Sequence, residues 1–290
     1  MLYSQSQKES IGLVYGFLGV LIFSLTLPAT RLAVAELDPV FVGLGRAVLA
    51  AGLSLILVVV TRQTIPPWRF LPRFVVVVAG VIIGFPLLSA IAMRDAPASY
   101  GAVIVGLLPL VTAFFGVWRG GEQVSKSFWI FALMGSGLII SFALMSGAGS
   151  ISLAALALLG AVVAASIGYA EGAILARTFG SWQVICWSLI LSTPVLLPIS
   201  LKHFPSSVHS ISINAWIGFF YVSFFSMFLG FIAWYRGLSI GGISRVSQIQ
   251  LIQPFLTILA SAVLLGEPLT IKTLGFAAGV IFCVAWGKRV

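Results

Sequence analysis

Long apolar runs, separated by short polar or Pro/Gly punctuation, follow one another along the whole chain. A bilayer's hydrocarbon core is about 30 Å thick and a helix rises about 1.5 Å per residue, so a crossing helix needs about 20 mostly apolar residues. Ten runs qualify as candidates: 11–33, 39–61, 73–92, 99–118, 127–145, 152–175, 182–201, 214–235, 246–264 and 272–287. They are continuous rather than alternating, which excludes the strands of a membrane barrel. Without water, each backbone amide must bond within its own helix, so the pattern predicts an all-α integral membrane bundle of ten transmembrane helices. Short connections leave no inserted soluble domain. The first ten residues are polar and the next run is long. It is therefore expected to stay as a span rather than act as a cleaved signal peptide.

Composition agrees. Of 290 residues, 60% are hydrophobic and 8% charged, and the mean hydropathy is +1.15. Soluble domains carry about a quarter charged residues, so these side chains could not cover a water-facing surface. Lys and Arg number 16 against 7 Asp and Glu. The cations are scattered singly at the ends of runs, so no nucleic-acid partner is expected. With the N-terminal segment placed in the cytoplasm, eleven cations fall in inner segments, four in outer ones, and Arg46 inside the second run. That asymmetry satisfies the positive-inside rule and predicts an N-in/C-in topology. Cys186 and Cys283 lie within apolar runs, and His203 and His209 share one loop without ligand partners. No metal site, cofactor or disulfide framework is expected. Neither a GxxxxGK loop nor an HExxH helix occurs, so ATP-driven transport and zinc proteolysis are not expected of this chain.

An offset of 145 residues superimposes the chain on itself: Ser99, Pro109, Thr112, Gly121 and Glu122 fall on Ser244, Pro254, Thr257, Gly266 and Glu267. Polar residues matching in so apolar a chain are informative. The segment Ser146-Gly-Ala-Gly-Ser150 reads as a flexible linker, giving two repeats, 11–145 and 152–288. Five spans per repeat would force the copies into opposite orientations. Inverted repeats can exchange conformations and so open a central site to either side alternately, with that site near the midplane.

The first half reads Phe41-Val-Gly-Leu-Gly-Arg46, Ala96-Pro-Ala-Ser99, Leu108-Pro109 and Gly121-Glu122, and the second half Gly237-Leu238-Ser239 with Ser244, Gln253-Pro254-Phe255 and Gly266-Glu267-Pro268. This arrangement resembles the EamA-type transporters of the drug/metabolite transporter superfamily. The resemblance implies two inverted five-helix repeats forming a secondary carrier in the bacterial inner (cytoplasmic) membrane, most often an exporter of amino acids or other small metabolites. Two departures stand out: no Arg in the second half matches Arg46, and Tyr100 takes the place of a small residue.

Individual residues admit more than one role. Pro109 and Pro254 lie inside the fourth and ninth spans, where proline removes a helical hydrogen bond. They serve either as packing bends or as hinges that expose carbonyls to a cavity. Thr112 and Thr257, three residues on, could bond a freed carbonyl. Glu122 and Glu267 precede the last helix of each repeat, a position suited to stabilising a helix N-terminus or to gating. Arg46 either reaches the outer interface, pairs with Glu36 or Asp38, or binds an anionic substrate group. Glu171 is a candidate proton carrier if buried alone, or else pairs with Arg177 or Arg245. Gln250, Gln253 and Thr257 share one helical face, read as a substrate-contacting stripe or as helix–helix glue. Tyr169 and Tyr235 are further wall candidates, and Thr26, Pro28 and Thr30 interrupt the first span.

The expected function is thus export of a small, amino-acid-like solute by alternating access across a lipid bilayer, with protons a candidate coupling ion. A membrane-embedded binding or regulatory protein and a passive channel are the alternatives.

Overall fold

The computed structural model describes residues 5–121, 126–146 and 152–287. Among them, eight apolar helical segments are long enough to cross a bilayer. These are α1 (Gln7–Val34), α2 (Phe41–Val60), α3 (Trp68–Asp95), α4 (Ala98–Gly120), α6 (Leu153–Phe179), α7 (Ser181–Lys202), α8 (Ile213–Gly241) and α9 (Ile243–Leu265). Two further helices, α5 (Lys126–Ser146) and α10 (Ile271–Gly287), carry shorter apolar stretches, Trp129–Phe142 and Ile271–Cys283. No strand occurs among the described residues.

Lipid tails are as apolar as leucine, so burying apolar surface does not drive membrane helices together; close packing of small residues does. The α1–α8 crossing depends on this. A Cβ added at Gly12 would lie 2.6 Å from Gly241 Cα, and one at Gly237 2.7 Å from the Gly16 amide nitrogen. The 145-residue offset turns α1 and α8 into α6 and α3. That second crossing is equally tight, since a Cβ at Gly80 would sit 2.3 Å from the Ala164 carbonyl oxygen. The same exchange leaves the α2–α7, α4–α9 and α5–α10 pairings unchanged. The packing therefore has an internal two-fold character, and the halves interleave rather than stand side by side.

Local backbone repeats as well. The second part of α4 runs Leu108–Gly120 and that of α9 runs Gln253–Leu265, 145 residues apart. Each ends on a left-handed glycine, Gly121 (φ 68°) and Gly266 (φ 65°), a C-cap conformation that side chains with a Cβ adopt only with strain.

Six of the long helices are interrupted. In α1 the helix breaks at Leu25. In α4 it breaks at Gly106 and Leu107, with Pro109 in the first turn of the restarted helix. In α9 a 3-10 stretch, Gln248–Ile252, precedes the restart at Gln253 and Pro254. Proline clashes with the carbonyl four residues back, so the chain gives up regular α-geometry before each proline. Wider π-turns occupy Phe41–Gly45 in α2, Val78–Gly84 in α3 and Tyr221–Gly230 in α8.

Candidate functional site

A small polar pocket inside the bundle is lined by Phe23, Thr26 and Leu27 of α1, Arg46 of α2, Phe85 of α3, Tyr169 of α6, Ser226 and Phe231 of α8, and Gln253 of α9. All but one of these residues stand at or beside a helix irregularity. Phe23, Thr26 and Leu27 flank the break at Leu25. Arg46, Phe85 and Phe231 each follow directly on a π-turn, and Ser226 lies within one. Gln253 follows the 3-10 stretch of α9. Tyr169 is the exception, projecting from the regular α6. Such irregularities re-aim side chains and release backbone groups, and within a membrane they are tolerated where protein or a cavity covers them.

Several lining residues are polar. Arg46 is 2% exposed, and its Nε and Nη1 have no hydrogen-bond partner. The Tyr169 phenol is an electrostatic neighbour of Arg46 and also meets the Gln250 side chain. Gln250 Nε2 approaches Gln253 Oε1 at 3.5 Å, leaving Gln250 Oε1 without a partner. Thr26 and Ser226 share a hydroxyl–hydroxyl bond of 2.9 Å between α1 and α8. Aromatic rings complete the lining: Phe23 lies 5.0 Å from Phe231, and Tyr169 is backed by Trp234 at 5.6 Å, between ring centroids. The space enclosed is about 10 Å³, about what one water requires.

Two interactions at opposite ends of α4 tie the surrounding helices together. At its start, Glu267 accepts hydrogen bonds from the Ala98 amide (2.7 Å, to Oε1) and the Ser99 amide (2.9 Å, to Oε2). A carboxylate there satisfies two of the unpaired N–H groups of a helix N-terminus. At its end, Arg119 donates from Nε (3.1 Å) and Nη2 (2.9 Å) to Glu171 Oε2 of α6. Glu171 Oε1 lies 3.4 Å from Arg73 Nε of α3.

The comparisons with known proteins decide the family. The model of the EamA-like transporter family matches residues 10–145 and again 152–286. The chain belongs to that family. It is similar to the uncharacterized transporter YdeK of Bacillus subtilis (strain 168), with 47% identity over 282 residues, 97% of this chain and 98% of that one. An uncharacterized transporter of Archaeoglobus fulgidus is 25% identical over 88% of this chain and 91% of its own length. YvbV, another uncharacterized transporter of Bacillus subtilis, is 26% identical over 97% and 91%. A crystal structure shares the fold with a TM-score of 0.70 at 18% identity, covering 96% of this chain and 98% of its own. This EamA-like protein is accordingly a multi-pass membrane transporter and not an enzyme.

Of the residues singled out in the sequence, the pocket brings together Arg46, Tyr169 and Gln253, with Gln250 against them. Thr257 is buried one turn further along α9. Tyr235 lies behind Phe231, its hydroxyl 3.3 Å from the Gly168 carbonyl that accepts its bond. Thr112 donates to Ser166 Oγ at 3.2 Å and joins α4 to α6, rather than bonding a carbonyl freed by Pro109. Glu171 pairs with Arg119 and Arg73, not with Arg177 or Arg245; Arg245 pairs instead with Glu9. Arg46 meets neither Glu36, which accepts from Ser212, nor Asp38, which caps α2 and contacts His203. Glu267 caps α4 rather than the helix that follows it. Glu122 lies outside the described residues. Phe23, Leu27, Phe85, Ser226 and Phe231 went unnoticed in the sequence. The available signal for Ser226 was its pairing with Ser223 inside an otherwise apolar run.

Proposed function

We propose that the chain is a secondary transporter that moves a small, amino-acid-like solute by alternating access, as an exporter across the bacterial inner membrane. The observation that carries this reading is the convergence of interrupted helices from both repeats on one pocket lined by polar and aromatic residues. In secondary carriers, irregular backbone at mid-bundle is where cargo is held. In the proposed topology, α5 and α10 complete ten crossings, the repeats 11–145 and 152–288 are inverted, and both ends of the chain face the cytoplasm. Gln250, Gln253, Thr257 and Tyr169 form the binding wall.

In this reading the two ties at the ends of α4 are the gates. The Glu171–Arg119–Arg73 cluster closes the cytoplasmic side, and Glu267 on the Ala98 and Ser99 amides closes the other. Releasing one while keeping the other would open the pocket to a single compartment, with the breaks before Pro109 and Pro254 as hinges. A space contracted to about 10 Å³ supports a gated carrier over an open channel, because cargo enters only when the helices part.

The test is counterflow in proteoliposomes preloaded with single amino acids. Saturable uptake of labelled solute, accelerated by unlabelled solute inside, is expected. Linear flux without counterflow, or none for any metabolite tried, overturns the proposal.

A further inference from the structure

We infer that Arg46 is the anchor for the cargo's carboxylate, so that the pocket selects a small monocarboxylate with an apolar or aromatic body; this deepens the transporter reading and rests on it. The inference begins with charge accounting. A guanidinium stays protonated even when buried and is strongly disfavoured within a bundle unless a partner faces it. Arg46 is among the largest fully buried side chains of the protein, yet Nε and Nη1 meet no acceptor.

The acids among the described residues do not supply one. Glu9 pairs with Arg245, and Glu171 with Arg119 and Arg73. Glu36 is held by Ser212, and Asp38 by the amides of Val40 and Phe41 and by His203. Glu267 is bound to the amides of Ala98 and Ser99. Asp95 is exposed at the end of α3. No carboxylate among the described residues is in ion-pair range of Arg46, so the counter-charge has to arrive with what the pocket binds.

The chemistry of that counter-charge follows from the surroundings. A guanidinium presents two planar pairs of donors, Nε with Nη2 and Nη1 with Nη2, each matching the two oxygens of a carboxylate, and each pair here includes one of the unpartnered nitrogens. Arg46 is the one cation lining the pocket, which suits a single negative charge better than a phosphate dianion. Phe23, Leu27, Phe85 and Phe231 face the remaining space, so the body of the ligand is apolar. Gln250 Oε1, also unpartnered and buried, is an acceptor for an N–H of that ligand. An amino acid and its deaminated analogue share the carboxylate, and only the first would use Gln250.

The experiment uses the full chain in lipid nanodiscs and in proteoliposomes. The probes are 3-phenylpropanoate and 4-methylpentanoate, the matching amino acids phenylalanine and leucine, and 4-methylpentanamide, which lacks the charge. Binding of at least one carboxylate probe is expected, with the amide failing to compete. Arg46→Gln should weaken that binding about 10- to 100-fold, the range of a hydrogen bond to a charged group. Arg46→Lys, which keeps the charge and loses the planar fork, should fall between, and it stands in if the Gln variant does not fold. Preference for the amino acids over the simple acids, lost in Gln250→Leu, would identify the zwitterion as the source. Equal competition by the amide, unchanged affinity in Arg46→Gln, or no binding of any carboxylate probe overturns the inference. Arg46-dependent binding without flux would overturn the transport reading and leave this one standing. Saturable flux of a neutral or cationic solute, unaffected at Arg46, would do the reverse.

Discussion

Glu171 offers the sharpest test of how the bundle is held closed. It is 1% exposed, whereas Arg119 and Arg73 are 38% and 47% exposed. The carboxylate therefore relies on the arginines more than they rely on it, since each cation can turn to water. Two bonds from Arg119 converge on Oε2 at 3.1 and 2.9 Å, while the 3.4 Å approach of Arg73 to Oε1 lacks hydrogen-bond geometry. Hydrogen bonds to charged groups contribute about 1.5–3 kcal/mol each, and the exposure of the cations reduces that. Glu171→Gln keeps the shape and one acceptor, so it should cost about 2 kcal/mol. Arg119→Gln leaves a buried carboxylate with only its weaker partner and should cost about 3 kcal/mol, toward the low end for a broken buried pair. The double variant removes both problems, so its loss should fall short of the sum by about 1–2 kcal/mol. At roughly 2–4 °C per kcal/mol for a chain of this order of size, Glu171→Gln lowers the unfolding midpoint by about 4–8 °C in detergent. The pH profile of transport should keep its shape. Additive single effects, or an unmoved midpoint together with loss of a pH-dependent step in flux, would refute the ion-pair account and make Glu171 a proton carrier.

Other perturbations follow from the same geometry. Glu267→Ala strips the α4 N-terminus of two bonds and should cost about 1–2 kcal/mol, read as a lower midpoint and faster amide exchange at Ala98 and Ser99; unchanged exchange would contradict it. Gly172→Ala puts a Cβ 2.2 Å from Tyr235 Cζ. The ring must move, and overpacking of about 1–3 kcal/mol is expected, visible in Trp234 fluorescence. Gln253→Ala should raise the KM for transport severalfold with expression and elution volume unchanged, and wild-type KM would remove Gln253 from the binding wall. Glu36 accepts from the Ser212 hydroxyl and amide, which hold its carboxyl below the usual carboxylate range. Its contribution is thus present above its unfolded pKa of about 4.3 and lost as pH falls through the depressed native value. Glu36→Gln should flatten that acid limb of the stability curve, and an unaltered limb would count against the contact.

Eight of the ten expected spans were legible because a bilayer imposes one length and one composition on every crossing. The 145-residue repeat was legible because Ser, Pro, Thr and Glu are conspicuous in an apolar chain. The helix interruptions were only partly so. Pro109 and Pro254 mark the breaks in α4 and α9, but the irregular backbone precedes each proline rather than centring on it. The π-turns of α2, α3 and α8 leave no comparable mark, since a single extra residue in a turn changes no hydrophobic pattern. Ionic partners were the least legible. Glu171 reads naturally with Arg177, six residues away, yet its partners come from α3 and α4 because packing, not spacing, brings charges together. The role of Glu267 at the start of α4 likewise needs the two repeats assembled before it exists.

The repeat extends to the framework and stops at the chemistry. Under the 145-residue offset the left-handed glycines, the helix restarts and the helix pairings all exchange. The polar residues in and beside the pocket do not: Arg46 falls on Leu191, Tyr169 on Ser24, Gln250 on Val105, Gln253 on Leu108 and Thr26 on Glu171. A pocket on a pseudo-two-fold axis with matched walls would present the same groups twice and suit a symmetric ligand. Here cation, phenol and amides come from α2, α6 and α9, while α1, α3 and α8 contribute most of the apolar surface. A ligand with a charged head and an apolar body then has one preferred orientation, whichever way the helices tilt. Duplication supplies a motion that can run in both directions, and divergence supplies a grip that holds one end of the cargo. Placing an arginine at residue 191 to restore the match would test that division: Leu191→Arg should impair recognition or folding, since Leu191 packs beside Phe74 and Leu71 at an apolar cleft where a second cation has no partner. Unimpaired transport by Leu191→Arg would mean that the asymmetry of the pocket has no bearing on what it carries.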